Sequence, residues 1–224
     1  WAALEAHARE MGGVRILDLF ARDPSRASRH TLEACGLVVD AAKQRVDDRT
    51  LALLHALARA AGVEARRDAM FAGEPVNATE GRAALHVALR RRGAEPIAVG
   101  GVDVMPEVRA VLARMRRFTE AVRGGAWQGA TGRPVRAVVN LGIGGSDLGP
   151  AMAASALEAW RSPHLVGHFV SNLDAAHVEG VLAACDPETT LFLVASKTFT
   201  TEETLANART ARRWLVDALG EEAV

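Results

Sequence analysis

Cysteine is scarce: Cys35 and Cys185 are the only two in 224 residues, with no CxxC spacing. No disulfide framework can be built from them, so a reducing, cytoplasmic setting is expected. Long apolar runs are missing as well. None reaches the roughly 18 residues that a membrane span needs. Glu5, Arg9, Glu10, Arg15 and Asp18 break up the first twenty residues, which excludes a signal-peptide core. Excess charge of either sign is absent, since 27 basic and 27 acidic residues cancel. That balance argues against a general nucleic-acid or membrane-surface binder, and neither is an expected partner. Lysine is nearly missing: Lys43 and Lys197 are the only ones among the 27 basic residues, the rest being arginine. An exposed helix face needs only charge, whereas a compact ammonium is needed in fewer places. The two lysines therefore draw attention.

What is present fits a globular protein with a real core, at 49% hydrophobic and 24% charged residues. The length suits one large domain or one and a half ordinary ones. The chain starts at Trp1 rather than Met and stops at Glu221-Glu222-Ala223-Val224 with no closing feature, so a fragment is expected.

Residues 1–133 read as a mainly helical region of helices and loops. Asp47 and Asp48 precede a stripe of Leu51, Leu54, Leu57, Ala58 and Ala61, and Gly62 closes it. Asn77-Ala78-Thr79-Glu80 is expected to open a second helix running to about Arg92. Asp103-Val104-Met105-Pro106 opens a third, with Pro106 in its first turn and Val108, Val111, Leu112, Met115 and Val122 as its buried face. The arginines at 114, 116, 117 and 123 coat its wet side.

From 134 to 224 the texture changes. Arg136–Leu141, Leu165–Val170 and Thr190–Ala195 are strand-like runs. Helical stretches follow each of them, at Ala151–Trp160, near Asp174–Ala184 and from about Glu202 to Leu219. Alternation of this kind predicts right-handed βαβ units in a parallel sheet. The fold class is α/β, a helical N-terminal region followed by part of a doubly wound parallel-sheet domain.

Ligands of such sheets sit beyond the carboxyl ends of the strands. One loop there is Gly142-Ile143-Gly144-Gly145-Ser146-Asp147-Leu148-Gly149. Glycines let backbone N–H groups approach an anion, the next helix points its positive end at the same place, and Ser146 adds a hydroxyl. The other is Ser196-Lys197-Thr198-Phe199-Thr200-Thr201, with four hydroxyls and one of the two lysines just before a helix. Thr200 and Glu203 match a capping box. Capping leaves Lys197 unexplained, because a helix N-terminus disfavours a cation unless an anion is there too. A phosphate monoester carries roughly −1.5 to −2 at neutral pH. Two helix N-termini at roughly +0.5 each and one lysine supply about +2. The inferred ligand is one monophosphate held between the loops.

Rival motifs fail on particular positions. Gly145-Ser146-Asp147 lacks the Gly-Lys-Ser/Thr of a Walker A loop, and Asp147 stands where a dinucleotide fingerprint needs glycine. Leu148 stands where a nucleophile elbow needs glycine, so Ser146 reads as a binding hydroxyl. His164 and His168 are four apart but in or beside a strand, which does not match a helical metal motif. No metal site is expected.

The two loops resemble the phosphoglucose isomerase (glucose-6-phosphate isomerase) family. The runs that carry the resemblance are Val138 to Pro150 and Ala195 to Thr204. Arg67 to Glu74, Asn77 to Arg82, Asp103 to Val108 and His168 to Asn172 add to it. It extends over nearly the whole chain from about Leu19, with departures near Ala27 and at Asp40-Ala41-Ala42-Lys43. The resemblance implies the first part of a sugar-isomerase (SIS-type) αβα domain and an aldose–ketose isomerase of glycolysis and gluconeogenesis. Its substrates would be glucose 6-phosphate and fructose 6-phosphate, interconverted by ring opening and an enediol without cofactor. It further implies phosphate contacts from Ser146, Ser196, Lys197, Thr198 and Thr201, with Gly145 beside the sugar. The family's glutamate base, histidine, arginine and late lysine, and its second sugar-binding domain, lie beyond the point matching Val224. No catalytic residue is therefore expected in this chain, which alone should be inactive. A homodimer is implied for the full-length enzyme. The other reading is a non-catalytic sugar-phosphate-binding module of a regulator, for which the isomerase-like blocks of the helical region would be superfluous.

Overall fold

Short helices open the chain in the computed structural model, which describes residues 1–224: α1 (Ala2–Met11), α2 (Ile16–Arg22) and α3 (Arg26–Arg29). Arg26 is 2% exposed and faces no carboxylate. Its guanidinium donates instead to the carbonyls of Ala42 at 2.8 Å and Gln44 at 2.7 Å, and lies 5.7 Å over the Phe20 ring. Its remaining nitrogen, Nη1, lies 3.3 Å from His30 Nε2. A buried cation is tolerated when each of its nitrogens meets an acceptor, and here it staples the returning chain to α3.

Between those anchor points runs a hairpin, β1 (Thr31–Ala34) and β2 (Leu37–Asp40), paired antiparallel from Thr31–Asp40 to Ala34–Leu37. Cys35 and Gly36 form its two-residue turn at φ 54° and 74°. Positive φ at both central residues matches the natural twist of a tight hairpin. The mainly helical region thus carries sheet that its sequence was not expected to form, and all eight strand residues are exposed.

The helix expected after Asp47 is α4 (Asp48–Ala60). The Asp47 carboxylate accepts from the Thr50 amide at 2.8 Å, and the Thr50 hydroxyl accepts from the Asp47 amide at 3.2 Å. His7, the buried residue of α1, brings its Nε2 to 3.0 Å from Asp47 and 2.8 Å from the Thr50 hydroxyl. The α4 cap is therefore also the dock for α1. Gly62, at φ 68°, ends that stretch and starts α5 (Val63–Phe71).

The helix expected from Asn77 does not form there. Asn77 Oδ1 accepts from the Thr79 hydroxyl at 2.8 Å and the Glu80 amide at 3.4 Å, and Asn77 pairs back onto Arg82 in an antiparallel bridge. An asparagine that bonds its own neighbours in this way favours a turn over a helix. The helix is confined to α6 (His86–Arg90). A second small hairpin, β3 (Ala98–Val99) and β4 (Val102–Asp103), follows around Gly100-Gly101. Ala88, Ile97 and Met105 form the buried cluster there, packed by Leu85, Val87, Val104 and Val108.

α7 (Met105–Arg123) begins where expected, the Asp103 carboxylate accepting from the Met105 amide at 3.0 Å and Pro106 in the first turn. Its expected buried face is only partly buried. Val122 is buried and Val108 half-buried, while Val111, Leu112 and Met115 are 37, 46 and 59% exposed. Apolar spacing shows which side of a helix is oily, not whether anything packs on it. The structure separates into two compact units, Trp1–Val108 and Arg109–Val224.

The second unit holds β5 (Ala137–Leu141), α8 (Leu148–Ala156), β6 (Val166–Val170), α9 (Ala175–Ala183), β7 (Thr190–Val194) and α10 (Glu202–Leu219). All three expected strands and the helices after them are present, α8 starting three residues earlier than expected. The strands form a parallel sheet in the order β6-β5-β7. Val139 and Leu141 on β5 and Val170 on β6 are wholly buried against Val178 and Leu182 of α9 and Ala211 of α10. Phe192 meets Trp214 edge-on, ring centres 6.1 Å apart. Each such side chain removed from water contributes about 1.5–3 kcal/mol. β5 is the middle strand: the chain leaves it for β6 on one side and then crosses back to β7 on the other. That reversal places a topological switch point between the carboxyl ends of β5 and β7.

Candidate functional site

The switch point is occupied by the two donor-rich loops. Leu141 is paired with Val194, and the next amide, that of Ala195, donates to the Leu141 carbonyl at 2.8 Å. Gly142 and Ser196 thus leave adjacent strands at the same level, and both loops run directly into helix N-termini.

The first loop turns through a single 3-10 turn, Gly144–Ser146, with Gly144 at φ 59°. Ser146 donates its amide to the Ile143 carbonyl at 3.2 Å, and Asp147 donates to the Gly144 carbonyl at 3.0 Å. The Ser146 carbonyl points back at the sheet, where Asn140 Nδ2 donates to it at 3.0 Å. A Cβ on residue 142 would come within 2.6 Å of that same oxygen, so only glycine leaves room for it. Gly144 and Gly145 are exposed and Ser146 is half-buried. Asp147 is 6% exposed at the start of α8, and its Oδ1 has no hydrogen-bond partner.

In the second loop Ser196 and Thr201 are half-buried and their hydroxyls lie 3.2 Å apart. Lys197 and Thr198 are exposed. Thr198 and Thr200 share a hydroxyl–hydroxyl bond of 2.6 Å, and Phe199 at the tip has φ 56°. The capping box expected from Thr200 and Glu203 is not made. The N-cap of α10 is Thr201, which makes no side-chain capping bond. Thr200 is drawn to Thr198 instead, so the hydroxyls of this loop bond among themselves rather than to the helix. In the first turn of α10, Thr204 is 1% exposed and its hydroxyl has no partner. One turn on, Asn207 donates to the Asn172 carbonyl at 2.9 Å and ties α10 to the chain leaving β6.

The structure therefore gathers Gly145, Ser146, Ser196, Lys197, Thr198 and Thr201 on two loops leaving adjacent strands. Asp147 belongs to the glycine loop as the N-cap of α8. Asn140, Thr204 and Asn207 sit inside strand and helix runs, where nothing in the spacing separates them from surface residues. His164 and His168 are not drawn into a metal cluster: His164 Nε2 meets the Arg123 carbonyl at 2.9 Å, and His168 is half-buried on β6. A cavity of about 850 Å³ lies elsewhere in this unit, lined by Ala151, Leu157, Trp160, Val166 and Phe169 among others. It is mainly apolar, with Arg123 and Arg161 also on its wall, and it contains none of the loop residues.

Comparison with known proteins bears on the fold and the family. The family profile described as phosphoglucose isomerase matches residues 40–224. A glucose-6-phosphate isomerase of Anaeromyxobacter dehalogenans is 57% identical over 222 residues, which are 99% of this chain and 40% of that protein. One from Roseiflexus castenholzii is 56% identical over 223 residues, all of this chain and 41% of that protein. Among solved structures, a glucose-6-phosphate isomerase from Chlamydia trachomatis aligns with a TM-score of 0.78 at 25% identity. That alignment covers 97% of this chain and 41% of the other. The chain spans about two fifths of the length of the relatives it matches. Two loops at the switch point, the parallel sheet behind them and a family match running from residue 40 to Val224 lead to one conclusion: this chain belongs to the phosphoglucose isomerase family.

Proposed function

We propose that these 224 residues are the phosphate-binding part of an aldose–ketose isomerase that interconverts glucose 6-phosphate and fructose 6-phosphate. The observation that carries this reading is the adjacency of the two loops at the β5–β7 switch point. Ser146, Ser196, Thr198 and Thr201 supply hydroxyl donors, Lys197 supplies a point charge, and the N-termini of α8 and α10 supply partial positive charge. Gly145, without a side chain, lets the sugar approach.

The reaction moves a proton between C1 and C2 of the opened sugar through an enediol. It needs a carboxylate base, an acid–base pair for ring opening and a cation for the enediolate. In the family those groups come from positions past the one matching Val224. This chain's share is to hold the phosphate and so fix the distance of C1 and C2 from the base, which is an orientation effect. Residues 1–133 are the helical region and 134–224 the first part of the sugar-isomerase domain. The complete enzyme works without metal or organic cofactor, as a homodimer, in the cytoplasm, within glycolysis and gluconeogenesis.

The deciding experiment is a coupled isomerase assay on the product of the complete gene beside the isolated 224 residues. The complete product turns over glucose 6-phosphate and the 224 residues do not. Turnover by the 224 residues alone would move the chemistry into this chain. Inactivity of the complete product would favour a non-catalytic sugar-phosphate-binding module.

A further inference from the structure

Asn140 is a polar residue in the middle strand of a sheet, 7% exposed, in register with Phe169 on one side and Leu193 on the other. Apolar side chains hold the corresponding places on both neighbours. An amide costs free energy in such a position unless it is hydrogen-bonded. Its partner is the Ser146 carbonyl, 3.0 Å away. A carbonyl only accepts, so the group facing it must be the amide nitrogen, and no alternative assignment of the side chain fits.

We propose that Asn140 is a positioning residue for the glycine loop. It holds the Ser146 carbonyl against the sheet, and the Ser146 hydroxyl is thereby left to the ligand. The inference rests on the phosphate reading of this loop and adds the residue that sets its shape. Two independent features converge on one oxygen. Asn140 pulls it in by a hydrogen bond, and Gly142 leaves the space it occupies, since a Cβ there would stand 2.6 Å away. With the carbonyl so fixed, Ser146 and Asp147 spend their amides inside the 3-10 turn. The peptides of Gly144 and Gly145, which are exposed and donate to no backbone acceptor, remain for the phosphate. Without Asn140, the carbonyl would be free to rotate outward and present its negative end to the anion.

The test uses the product of the complete gene and reads kcat and KM for glucose 6-phosphate together with competitive inhibition by inorganic phosphate. Asn140→Leu keeps the volume and removes the donor. It is expected to raise KM and the inhibition constant of phosphate together, by about tenfold, with kcat within about twofold. Asn140→Asp turns an acceptor toward the carbonyl and should do the same or worse. A purely structural role would lower the active fraction, and hence kcat, at unchanged KM and unchanged inhibition. That result overturns the proposal. Should Asn140→Leu fail to fold, Gly142→Ala pushes the same carbonyl from the other side and is expected to give the same pattern, and its absence overturns the proposal equally. Ser146→Ala separates the two levels of the argument. If it raises KM while the Asn140 and Gly142 variants do not, the positioning role falls and the phosphate reading stands. If it too leaves KM unchanged, the phosphate reading of the loop falls.

Discussion

Ala195, one residue past the end of β7, donates its amide at 2.8 Å to the carbonyl of Leu141, the last residue of β5. This bond sets how far apart the glycine loop and the lysine loop can be, because each begins at the next residue. A ligand held by both loops is gripped by two rigid strand ends rather than by two independent loops, which is how a small scaffold achieves precise orientation.

In the proposed reading Lys197 supplies the charge at that grip. In the product of the complete gene, Lys197→Ala is expected to raise the KM for glucose 6-phosphate by about 10–150-fold, the range for losing one charge-assisted contact of about 1.5–3 kcal/mol. Lys197→Arg should restore it only in part, since a planar fork does not replace a compact ammonium. A KM that stays put in the alanine variant would remove Lys197 from the site. Steady-state assays at two salt concentrations measure it, the dependence on salt shrinking when the charge is gone.

Leu141 is wholly buried in the middle strand and sits one residue before the glycine loop. Leu141→Ala is expected to cost about 2–5 kcal/mol of stability through lost burial and the cavity left behind. Urea unfolding followed by circular dichroism reads the shift in midpoint. A change under 1 kcal/mol would mean that the sheet is not packed as described.

Asp47 contributes acid sensitivity to the first unit. Burial pushes its carboxyl upward, but the bonds it accepts from the Thr50 amide and hydroxyl and from the His7 ring outweigh that, so it lies below the ordinary carboxylate range. A group whose pKa is depressed by folding adds stability above its unfolded value near 3.9 and loses it as pH falls through the folded value. Asp47→Ala is therefore expected to destabilise at neutral pH, by about 0.5–2 kcal/mol for a lost N-cap, and to match the parent at pH values below both. An equal gap between the two proteins at pH 7 and pH 2 would contradict the assignment. Denaturant melts across that range provide the comparison.

The two thiols should react at different rates. Cys35 is exposed at a hairpin tip. Cys185 is half-buried against the sheet core; burial pushes its thiol upward, partly offset by a hydrogen bond with Thr190. At pH 8, iodoacetamide followed by mass spectrometry should find Cys35 alkylated well before Cys185, because the thiolate is the reacting form and must be reached. Equal rates would indicate that the region around Cys185 opens readily.

Much of the second unit was legible because local and long-range signals agree there. Thr190-Leu191-Phe192-Leu193-Val194 is apolar and strand-prone, and Glu202 to Leu219 has acidic residues at its start and Gly220 at its end. The structure places the helix at those limits and ends the strand at Val194, one residue short of the expected Thr190–Ala195 run. The first unit was less legible. Leu37-Val38-Val39 is strand-like, but two four-residue strands around Cys35-Gly36 give too short a signal to stand out from neighbouring helices. Asn77-Ala78-Thr79-Glu80 has the composition of a helix start, and only the bonds to Asn77 Oδ1 show that it turns instead. The same limit applied at the site. Lys197 was visible because lysine is rare in this chain, whereas Asn140 matters through a carbonyl six residues away that no sequence pattern marks.

The strand order β6-β5-β7 also sets a timetable for synthesis. β5 is made first, yet both of its neighbours lie downstream, the second ending at Val194, roughly fifty residues after Leu141. β6 is complete at Val170, so at about 5–20 residues per second the edge of the middle strand that meets β7 stays unpaired for some seconds. Over that interval Val138-Val139-Asn140-Leu141 has an open strand edge. Asn140, the one polar side chain in it, interrupts an otherwise continuous apolar run at the moment when self-association is easiest.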